Sequence, residues 1–177
     1  MVRIDIESLI TDIPDYPQKG VVFKDITTLL SDSEGFAQVI DGIAEHFAGK
    51  GVTKVMGAEA RGFMIAAPVA YKLGAGFVPA RKPGKLPRAT FAQEYDLEYG
   101  TDTLEIHQDA LVPGDVVLLV DDLVATGGTA VAQVKLVESC GASLAGMGFL
   151  MELAFLNPRQ ALAAHTDVEL FSLIQVD

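Results

Sequence analysis

The fold class is decided by the segment Val116-Val117-Leu118-Leu119-Val120-Asp121-Asp122-Leu123-Val124-Ala125-Thr126-Gly127-Gly128-Thr129. Its first five apolar residues predict a strand over 116–120 that is buried on both faces. Two acids follow where the chain is expected to leave that strand, and a turn of small residues then opens a helix over about 129–139. Strand, turn and helix in this order are typical of an α/β sheet that binds ligands beyond the carboxyl ends of its strands.

The rest of the chain repeats this alternation of short apolar strands and helices. Apolar residues at helical spacing predict a helix that begins at Ser33, and the nearly all-apolar stretch 63–73 predicts a buried helix. Further predicted elements are a short helix over 4–10, an extended run over 21–23, and strands over 54–57, 77–80, 144–152 and 168–173. The sequence therefore predicts one α/β domain over 1–177, with a central, mostly parallel sheet flanked by helices.

Length and charge restrict the function classes. The chain has 177 residues, and its 13 Lys and Arg against 24 Asp and Glu give a formal net charge of −11. Such an excess of acids argues against a nucleic-acid-binding surface, which has to neutralise many phosphates. The single Cys140 excludes an internal disulfide, and no apolar run reaches the ~20 residues of a membrane helix. We expect a soluble, cytoplasmic protein with no membrane partner and no nucleic-acid partner.

The stretch from about 81 to 109 departs from the α/β pattern. It shows no helical period, its first part is basic, and its second part is acidic. Four of the chain's 13 cations fall within eight residues, namely Arg81, Lys82, Lys85 and Arg88. Loops of this length in a compact domain are usually functional lids or disordered, so two interpretations stay open: a flexible lid hairpin or a solvated, charged hairpin.

The acid pair and the turn after it predict a binding site for a sugar phosphate. Gly127 and Gly128 let the backbone approach a ligand closely, and the free N–H groups at the start of a helix favour a phosphate. Asp121 and Asp122 could accept hydrogen bonds from the hydroxyls of a ribose. The lysine of a nucleoside triphosphatase loop is missing, and so is the GxGxxG dinucleotide fingerprint.

This segment resembles the phosphoribosyl pyrophosphate motif of the type I phosphoribosyltransferases. From Pro14 to about Phe171, the chain is similar to bacterial members of that family that act on adenine. The motifs that carry the resemblance, besides the segment quoted first, are Pro14-Asp15-Tyr16-Pro17, Gly20-Val21-Val22-Phe23-Lys24-Asp25-Ile26, Glu59-Ala60-Arg61-Gly62-Phe63, Arg81-Lys82-Pro83-Gly84-Lys85-Leu86-Pro87 and Leu97-Glu98-Tyr99-Gly100.

The resemblance implies the type I phosphoribosyltransferase fold and a purine-salvage reaction. The 5-phosphoribosyl group of phosphoribosyl pyrophosphate would pass to N9 of adenine, giving AMP and pyrophosphate. Mg²⁺ would be required and would be bound mainly through the substrate, with no direct protein ligand assigned. A homodimer is implied as well, and Arg81, Lys82 and Lys85 could then reach the site from the partner subunit.

The resemblance also implies a role for each motif. Asp121 and Asp122 would hold the ribose hydroxyls, and the 5-phosphate would be bound by Ala125, Thr126, Gly127, Gly128 and Thr129. The pyrophosphate would be bound by Ala60, Arg61, Arg81, Lys82 and Lys85, and the Ala60–Arg61 peptide is often cis in the family. Adenine would be bound by Val22, Phe23, Lys24 and Leu153. Arg61 and Glu98 would be catalytic, with Glu98 taking a proton from the base or stabilising its protonated form, and Tyr99 would shield the site from the lid.

Two alternative functions can be weighed on the sequence. An enzyme of the same family that acts on an oxopurine would commonly carry a lysine to read the 6-oxo group, whereas the stretch 151–156 contains Glu152 and no lysine. A regulator that senses phosphoribosyl pyrophosphate and binds nucleic acid is disfavoured by the charge of −11 and by the lack of a helix-turn-helix extension.

Overall fold

The computed structural model describes residues 4–96 and 100–177. The strands in chain order are β1 (Thr11–Pro14), β2 (Val22–Asp25), β3 (Lys54–Ala58), β4 (Gly76–Ala80), β5 (Thr90–Asp96), β6 (Thr101–His107), β7 (Val116–Val124), β8 (Ser143–Leu153) and β9 (Leu170–Val176). The helices are α1 (Thr27–Ser31), α2 (Ser33–Phe47), α3 (Arg61–Leu73), α4 (Gly128–Ser139) and α5 (Pro158–Ala163), with 3₁₀ turns at Glu7–Leu9 and Ala154–Leu156. No helix of the described residues is long and apolar enough to cross a bilayer.

A five-stranded parallel sheet forms the centre of the molecule, in the order β4-β3-β7-β8-β9. The predicted α/β class with a parallel, helix-flanked sheet is confirmed. The chain adds β4 on one side of β3 and the later strands on the other side, so the strand order reverses between β3 and β7. Ligands of open α/β sheets bind at such a reversal point.

Strand alternation divides the core into two layers, one on each face of the sheet. In β7, Val117 and Leu119 belong to the layer that α4 covers, whereas Leu118 and Val120 belong to the layer beneath α2 and α3. All four side chains are fully buried. Helices on both faces therefore explain the uninterrupted apolar run that predicted this strand.

The stretch 81–109 contains the antiparallel pair of β5 and β6. This hairpin is not wholly solvated, because Tyr95, Leu104 and Ile106 are buried in the core layer on the α4 face. Arg81 joins the hairpin to the end of β4, since its backbone exchanges two hydrogen bonds with that of Glu105 at 2.8 and 2.7 Å.

Several element boundaries differ from the sequence prediction. The predicted helix over 4–10 is only the 3₁₀ turn Glu7–Leu9, β9 begins at Leu170 rather than at 168, and β7 runs to Val124 rather than stopping at 120. Three elements were not predicted, namely β1, α1 and α5, which have between four and six residues each. Elements this short are not long enough to display a periodic apolar pattern.

Candidate active site

Asp121 and Asp122 lie inside β7, and the expectation that the chain leaves the strand at these acids is wrong. β7 continues because β8 is longer and stays paired with it as far as Val124 and Glu152. On its other side, β7 pairs with β3 only as far as Leu119. The two strands separate beyond that residue, and this gap lets both neighbouring acids reach one cavity.

The cavity has a volume of about 240 Å³ and lies at the reversal point of the sheet. It is lined by Ala58, Glu59, Ala60, Arg61, Lys82, Tyr95, Leu104, Asp121, Asp122, Leu123 and Thr129. A second cavity of about 190 Å³ adjoins it and is lined by Asp121, Leu123, Val124, Ala125, Thr126, Gly127, Gly128, Thr129, Ala130 and Phe149. Because Asp121, Leu123 and Thr129 belong to both linings, the two cavities form one cleft.

Burial disfavours the ionised form of the two acids unless a partner compensates for the charge. Asp121 is 8% exposed and Asp122 is 5% exposed. Burial raises the pKa of Asp121 well above its usual value, and the adjacent Asp122 charge raises it further. Burial also raises the pKa of Asp122, although the Arg61 guanidinium offsets part of that rise. A ligand that donates hydrogen bonds or carries positive charge would stabilise the ionised pair.

One carboxylate oxygen of the acid pair is buried and has no hydrogen-bond donor among the described residues. The backbone N–H of Asp122 donates to Asp121 Oδ1 at 2.9 Å. Arg61 Nε lies 2.9 Å from Asp122 Oδ2, but this ionic contact lacks hydrogen-bond geometry, and among the described residues no donor is hydrogen-bonded to that oxygen. A buried carboxylate oxygen without a donor can accept a hydrogen bond from a ligand hydroxyl.

Gly62 allows helix α3 to begin directly against this carboxylate pair. A Cβ atom on Gly62 would lie 2.4 Å from Asp121 Oδ1 and 3.0 Å from Asp121 Cγ. The first turn of α3 can thus approach β7 only with glycine at this position. The same turn carries Arg61, which explains how the guanidinium reaches Asp122.

The turn before α4 forms the second half of the cleft. Gly127 has φ +91°, a left-handed conformation that favours glycine, and α4 begins at the next residue. The first turn of a helix has N–H groups with no partner inside the helix, and the helix dipole makes this end favourable for an anion. The five residues predicted to bind the 5-phosphate therefore surround one small, anion-favouring cavity.

The predicted pyrophosphate residues are only partly brought together. Arg61 and Lys82 line the larger cavity, as does Ala60, whereas Arg81 donates from Nε to Glu59 Oε2 at 2.8 Å and Lys85 is exposed. The cis peptide precedes Ala60 and joins it to Glu59, so the expectation of a cis Ala60–Arg61 peptide is wrong.

Two cations of this region, Arg81 and Lys82, contact side chains to which no role was assigned from the sequence. These side chains are Glu59, Tyr95 and Asp102. Lys82 forms an ion pair with Asp102, and its ammonium also lies 3.3 Å from the Tyr95 hydroxyl. Glu59 pairs with Arg81, and although burial would raise the pKa of Glu59, the backbone N–H of Lys82 and the Arg81 guanidinium lower it. Glu59 stands inside a quoted motif, which was the one available signal.

The predicted adenine residues lie on β2 and at the end of β8. The Phe23 ring lies 5.0 Å from the Arg61 guanidinium carbon, and Tyr16 meets that ring edge-on at 5.2 Å between centroids. Val22 is exposed, the Lys24 ammonium is paired with Asp12 at 2.8 Å, and Leu153 is half-buried as the last residue of β8. Phe23 is thereby connected to the acid pair through Arg61.

Two predicted residues, Glu98 and Tyr99, lie outside the described residues. Within 4–96 and 100–177, no cluster of three or more His, Cys, Asp or Glu side chains is arranged to hold a metal ion.

Comparison with known proteins gives one consistent family. The phosphoribosyl transferase domain matches residues 26–176. An adenine phosphoribosyltransferase from Pelobacter propionicus is 58% identical over 160 residues, which cover 90% of this chain and 93% of the relative. One from Solibacter usitatus is 54% identical over 173 residues, which cover 98% of each chain. This chain belongs to the adenine phosphoribosyltransferase family.

Solved structures agree with that membership. The crystal structure of adenine phosphoribosyltransferase from Thermoanaerobacter pseudethanolicus superposes with a TM-score of 0.92 at 50% identity, covering 97% of this chain and 98% of that one. The enzyme from Saccharomyces cerevisiae was solved with adenine and an imino-altritol bisphosphate. It superposes with a TM-score of 0.86 at 36% identity, covering 95% of this chain and 96% of that one.

Proposed function

We propose that this chain transfers the 5-phosphoribosyl group of phosphoribosyl pyrophosphate to N9 of adenine and so forms AMP and pyrophosphate. The observation that carries this function is the cleft itself. A buried acid pair adjoins the N-terminus of α4 in a chain more than half identical to adenine phosphoribosyltransferases. The acid pair suits ribose hydroxyls, and the helix N-terminus suits the 5-phosphate.

In this arrangement, each part of the sugar phosphate has a place in the cleft. The ribose hydroxyls donate to Asp121 and Asp122, and the 5-phosphate accepts from the backbone and hydroxyl donors of 125–129. The pyrophosphate lies toward Ala60, Arg61 and Lys82, while Arg81 and Lys85 approach it from the end of β4. Three cations of this group are already paired with acids, Arg61 with Asp122, Arg81 with Glu59 and Lys82 with Asp102. They exchange those partners when pyrophosphate binds.

The reaction breaks the bond between C1 of the ribose and the pyrophosphate oxygen and forms a bond from C1 to N9 of adenine. Positive charge develops at the ribose ring as the pyrophosphate leaves, and the ionised acid pair is placed to stabilise it. Adenine lies against Phe23 and Leu153, with backbone groups of Val22 and Lys24 reading its edge. The proton lost from the base goes to Glu98, and Tyr99 helps to exclude water that would hydrolyse the reactive centre.

Mg²⁺ fits the donor chemistry of this site when most of its ligands come from the substrate. Mg²⁺ in phosphate-transfer sites is commonly held by one or two carboxylates together with phosphate oxygens and water. Asp121 and Asp122 line the cleft, so an Mg²⁺ ion bound to the substrate would lie near two carboxylates. When bound, the ion neutralises part of the charge of the leaving pyrophosphate.

The 5-phosphate assignment predicts a specific effect of Gly127→Ala. The substitution forces alanine into φ +91° in the turn 125–129, which we call the phosphate cradle. We expect the KM for phosphoribosyl pyrophosphate to rise about tenfold because this turn shifts. Gly114→Ala is the matched control, since Gly114 has φ +97° in the turn before β7, at the other end of that strand. Steady-state kinetics with both substrates should show an unchanged KM for the control. Equal KM values for the two variants would remove the cradle assignment.

The proton-acceptor assignment predicts that Glu98→Ala lowers kcat more than it weakens adenine binding. A group that acts on the base as the bond forms contributes mainly in the transition state, and a loss of about 100-fold in kcat is expected. Glu94→Ala is the control, since Glu94 is an exposed acid on β5 of the same hairpin. An effect of Glu98→Ala confined to the KM for adenine would mean that Glu98 only binds the base.

A homodimer in the cytoplasm completes the proposal. Helix α3 presents Met64 and Tyr71, two turns apart, which are 40% and 88% exposed. A second copy that covers this face would sit next to the turn that carries Arg61, because Arg61 is the first residue of α3. Sedimentation equilibrium distinguishes a dimer from the 18.8 kDa monomer, and a monomer with full activity would remove this part of the proposal.

A further inference from the structure

Glu152 is a buried carboxylate on the ligand edge of the sheet that the proposed reaction does not use. It lies in β8, one residue before Leu153, and is 2% exposed. Its oxygens accept hydrogen bonds from Arg159 Nε at 2.8 Å, Arg159 Nη2 at 2.7 Å, Ser172 Oγ at 2.8 Å and Gln175 Nε2 at 3.2 Å. Burial would raise the pKa of Glu152, but the hydrogen bonds from Arg159, Ser172 and Gln175 outweigh it and lower the pKa.

Arg159 binds this carboxylate in the two-point manner that fixes geometry most strongly. Its two parallel N–H bonds leave Nη1 free to donate to the Leu170 carbonyl at 3.0 Å. The guanidinium thereby ties the second residue of α5 to β8 and to β9 at once.

The ion pair closes a short loop. Residues 153–158 connect Glu152 to Arg159 and comprise the end of β8, the 3₁₀ turn Ala154–Leu156, Asn157 with φ 54°, and Pro158. The ion pair joins the two ends of this six-residue segment, and its first residue, Leu153, also pairs with Val176 of β9.

Leu153 is the residue of this segment that faces the core layer beneath α2 and α3. Neighbouring strand residues point to opposite faces, so Leu153 and Glu152 lie on different sides of β8. Leu153 follows Glu152 directly in β8 and pairs with Val176 of β9, so a change in how Glu152 is held can be transmitted to Leu153 through the backbone of the strand.

We propose that the Glu152–Arg159 ion pair is a positioning device that sets the adenine-binding wall at Leu153 by clamping the segment 153–158. This inference rests on the proposed function, because it assumes that Leu153 contacts the base. Neither Glu152 nor Arg159 touches the substrate in this account, and both act through Leu153.

The exposure of Arg159 allows its positioning role to be tested separately from core packing. The Arg159 side chain is 49% exposed and borders an open cleft of about 280 Å³, so shortening it leaves solvent rather than a void. Its removal would release the loop while α5 still packs through the buried Leu162.

The test is steady-state kinetics of Arg159→Gln, Arg159→Lys and Glu152→Gln with each substrate varied separately. We expect the KM for adenine to rise about tenfold in Arg159→Gln and Glu152→Gln, with the KM for phosphoribosyl pyrophosphate unchanged. Arg159→Lys keeps the charge but not the paired bonds, so its KM for adenine should lie between those of the wild type and Arg159→Gln. The active fraction is measured by titration, so partial misfolding alters kcat per total protein but not either KM.

Asp115→Asn provides the matched control. Asp115 is a buried carboxylate that accepts from Val112 N at 3.0 Å and Thr53 Oγ1 at 2.8 Å at the opposite edge of the sheet. The substitution Asp115→Asn should lower the melting temperature without changing the KM for adenine. If the three clamp variants behave like Asp115→Asn, the ion pair is purely structural and the inference is overturned.

Leu153→Ala separates this inference from the proposed function. A raised KM for adenine in Leu153→Ala, with unchanged values in the clamp variants, overturns the clamp and keeps the adenine wall. A raised KM in the clamp variants alone overturns the statement that the ion pair acts through Leu153. No change in any of the four variants overturns both assignments.

Discussion

Replacing Asp121 by asparagine is expected to lower kcat/KM for phosphoribosyl pyrophosphate about 10- to 100-fold while raising the stability of the protein. The loss corresponds to the ~1.5–3 kcal/mol of a hydrogen bond to a charged group. The gain arises because a buried carboxylate beside a second one is unfavourable when ionised, and asparagine removes that charge. The Asn oxygen can still accept the Asp122 N–H that now lies 2.9 Å from Asp121 Oδ1.

The stability gain has a defined pH dependence. The pKa of Asp121 is raised in the folded protein, so the contribution of this group to stability is fully present below the unfolded value of 3.8 and is lost as pH rises through the folded pKa. The asparagine variant lacks this loss, so its advantage over the wild type grows across that range and is complete above the folded pKa. For a chain of this size, ~1 kcal/mol corresponds to about 2–4 °C in melting temperature.

Asp115→Asn serves as the control, because it should lower the stability of the protein at neutral pH whereas Asp121→Asn should raise it. The Val112 N–H lowers the pKa of Asp115, so its ionised form stabilises the fold above the unfolded pKa and this stability is lost as pH falls. The control should therefore melt lower than the wild type at neutral pH, with a difference that shrinks on acidification. Scanning calorimetry across pH compares all three proteins. A lower melting temperature for Asp121→Asn than for the wild type at neutral pH would contradict the claim that the ionised Asp121 carboxylate destabilises the fold.

Gly62→Ala should damage both activity and stability. The added Cβ would meet Asp121 Oδ1 at 2.4 Å, so either the carboxylate or the first turn of α3 has to move. Overpacking of this kind typically destabilises by ~1–3 kcal/mol, and a shift of the acid pair should lower kcat/KM about 100-fold. Kinetics and thermal melts of the same preparation measure both effects.

Gly148→Ala is the control that separates the loss of activity from the loss of stability. Its Cβ would lie 2.9 Å from Ile43 Cγ2 and 3.2 Å from Phe47 Cε2, beneath α2 and away from the cleft. A comparable loss of stability is expected, with wild-type kinetic constants per active site. If Gly62→Ala retained those constants as well, the close approach of α3 to Asp121 would have no role in activity.

The local pattern of the chain was sufficient to predict the parallel sheet and the turn of small residues that lines one half of the cleft. An apolar run, two acids and a Gly-Gly turn all lie within residues 116–129, so one segment carries the strand, the acid pair and the turn together. The strand β7 could be predicted because a strand that is buried on both faces requires an unbroken apolar run.

Features that depend on contacts between distant segments could not be predicted in this way. β7 continues through its acids because β8 supplies hydrogen bonds as far as Glu152. The Arg81–Glu59 and Lys82–Asp102 pairs join residues 22 and 20 positions apart, and neither spacing belongs to a regular element. The Glu152–Arg159 clamp spans a loop whose turns are too short to show a period.

The most direct measurement is product formation from phosphoribosyl pyrophosphate and Mg²⁺, with adenine, hypoxanthine, guanine and xanthine each supplied separately. The proposed function predicts AMP and pyrophosphate from adenine, and no nucleotide from the three oxopurines. A faster reaction with an oxopurine would contradict the specificity. No product from any base, in a protein that still binds phosphoribosyl pyrophosphate, would contradict the enzymatic function and point to a regulatory protein with this fold.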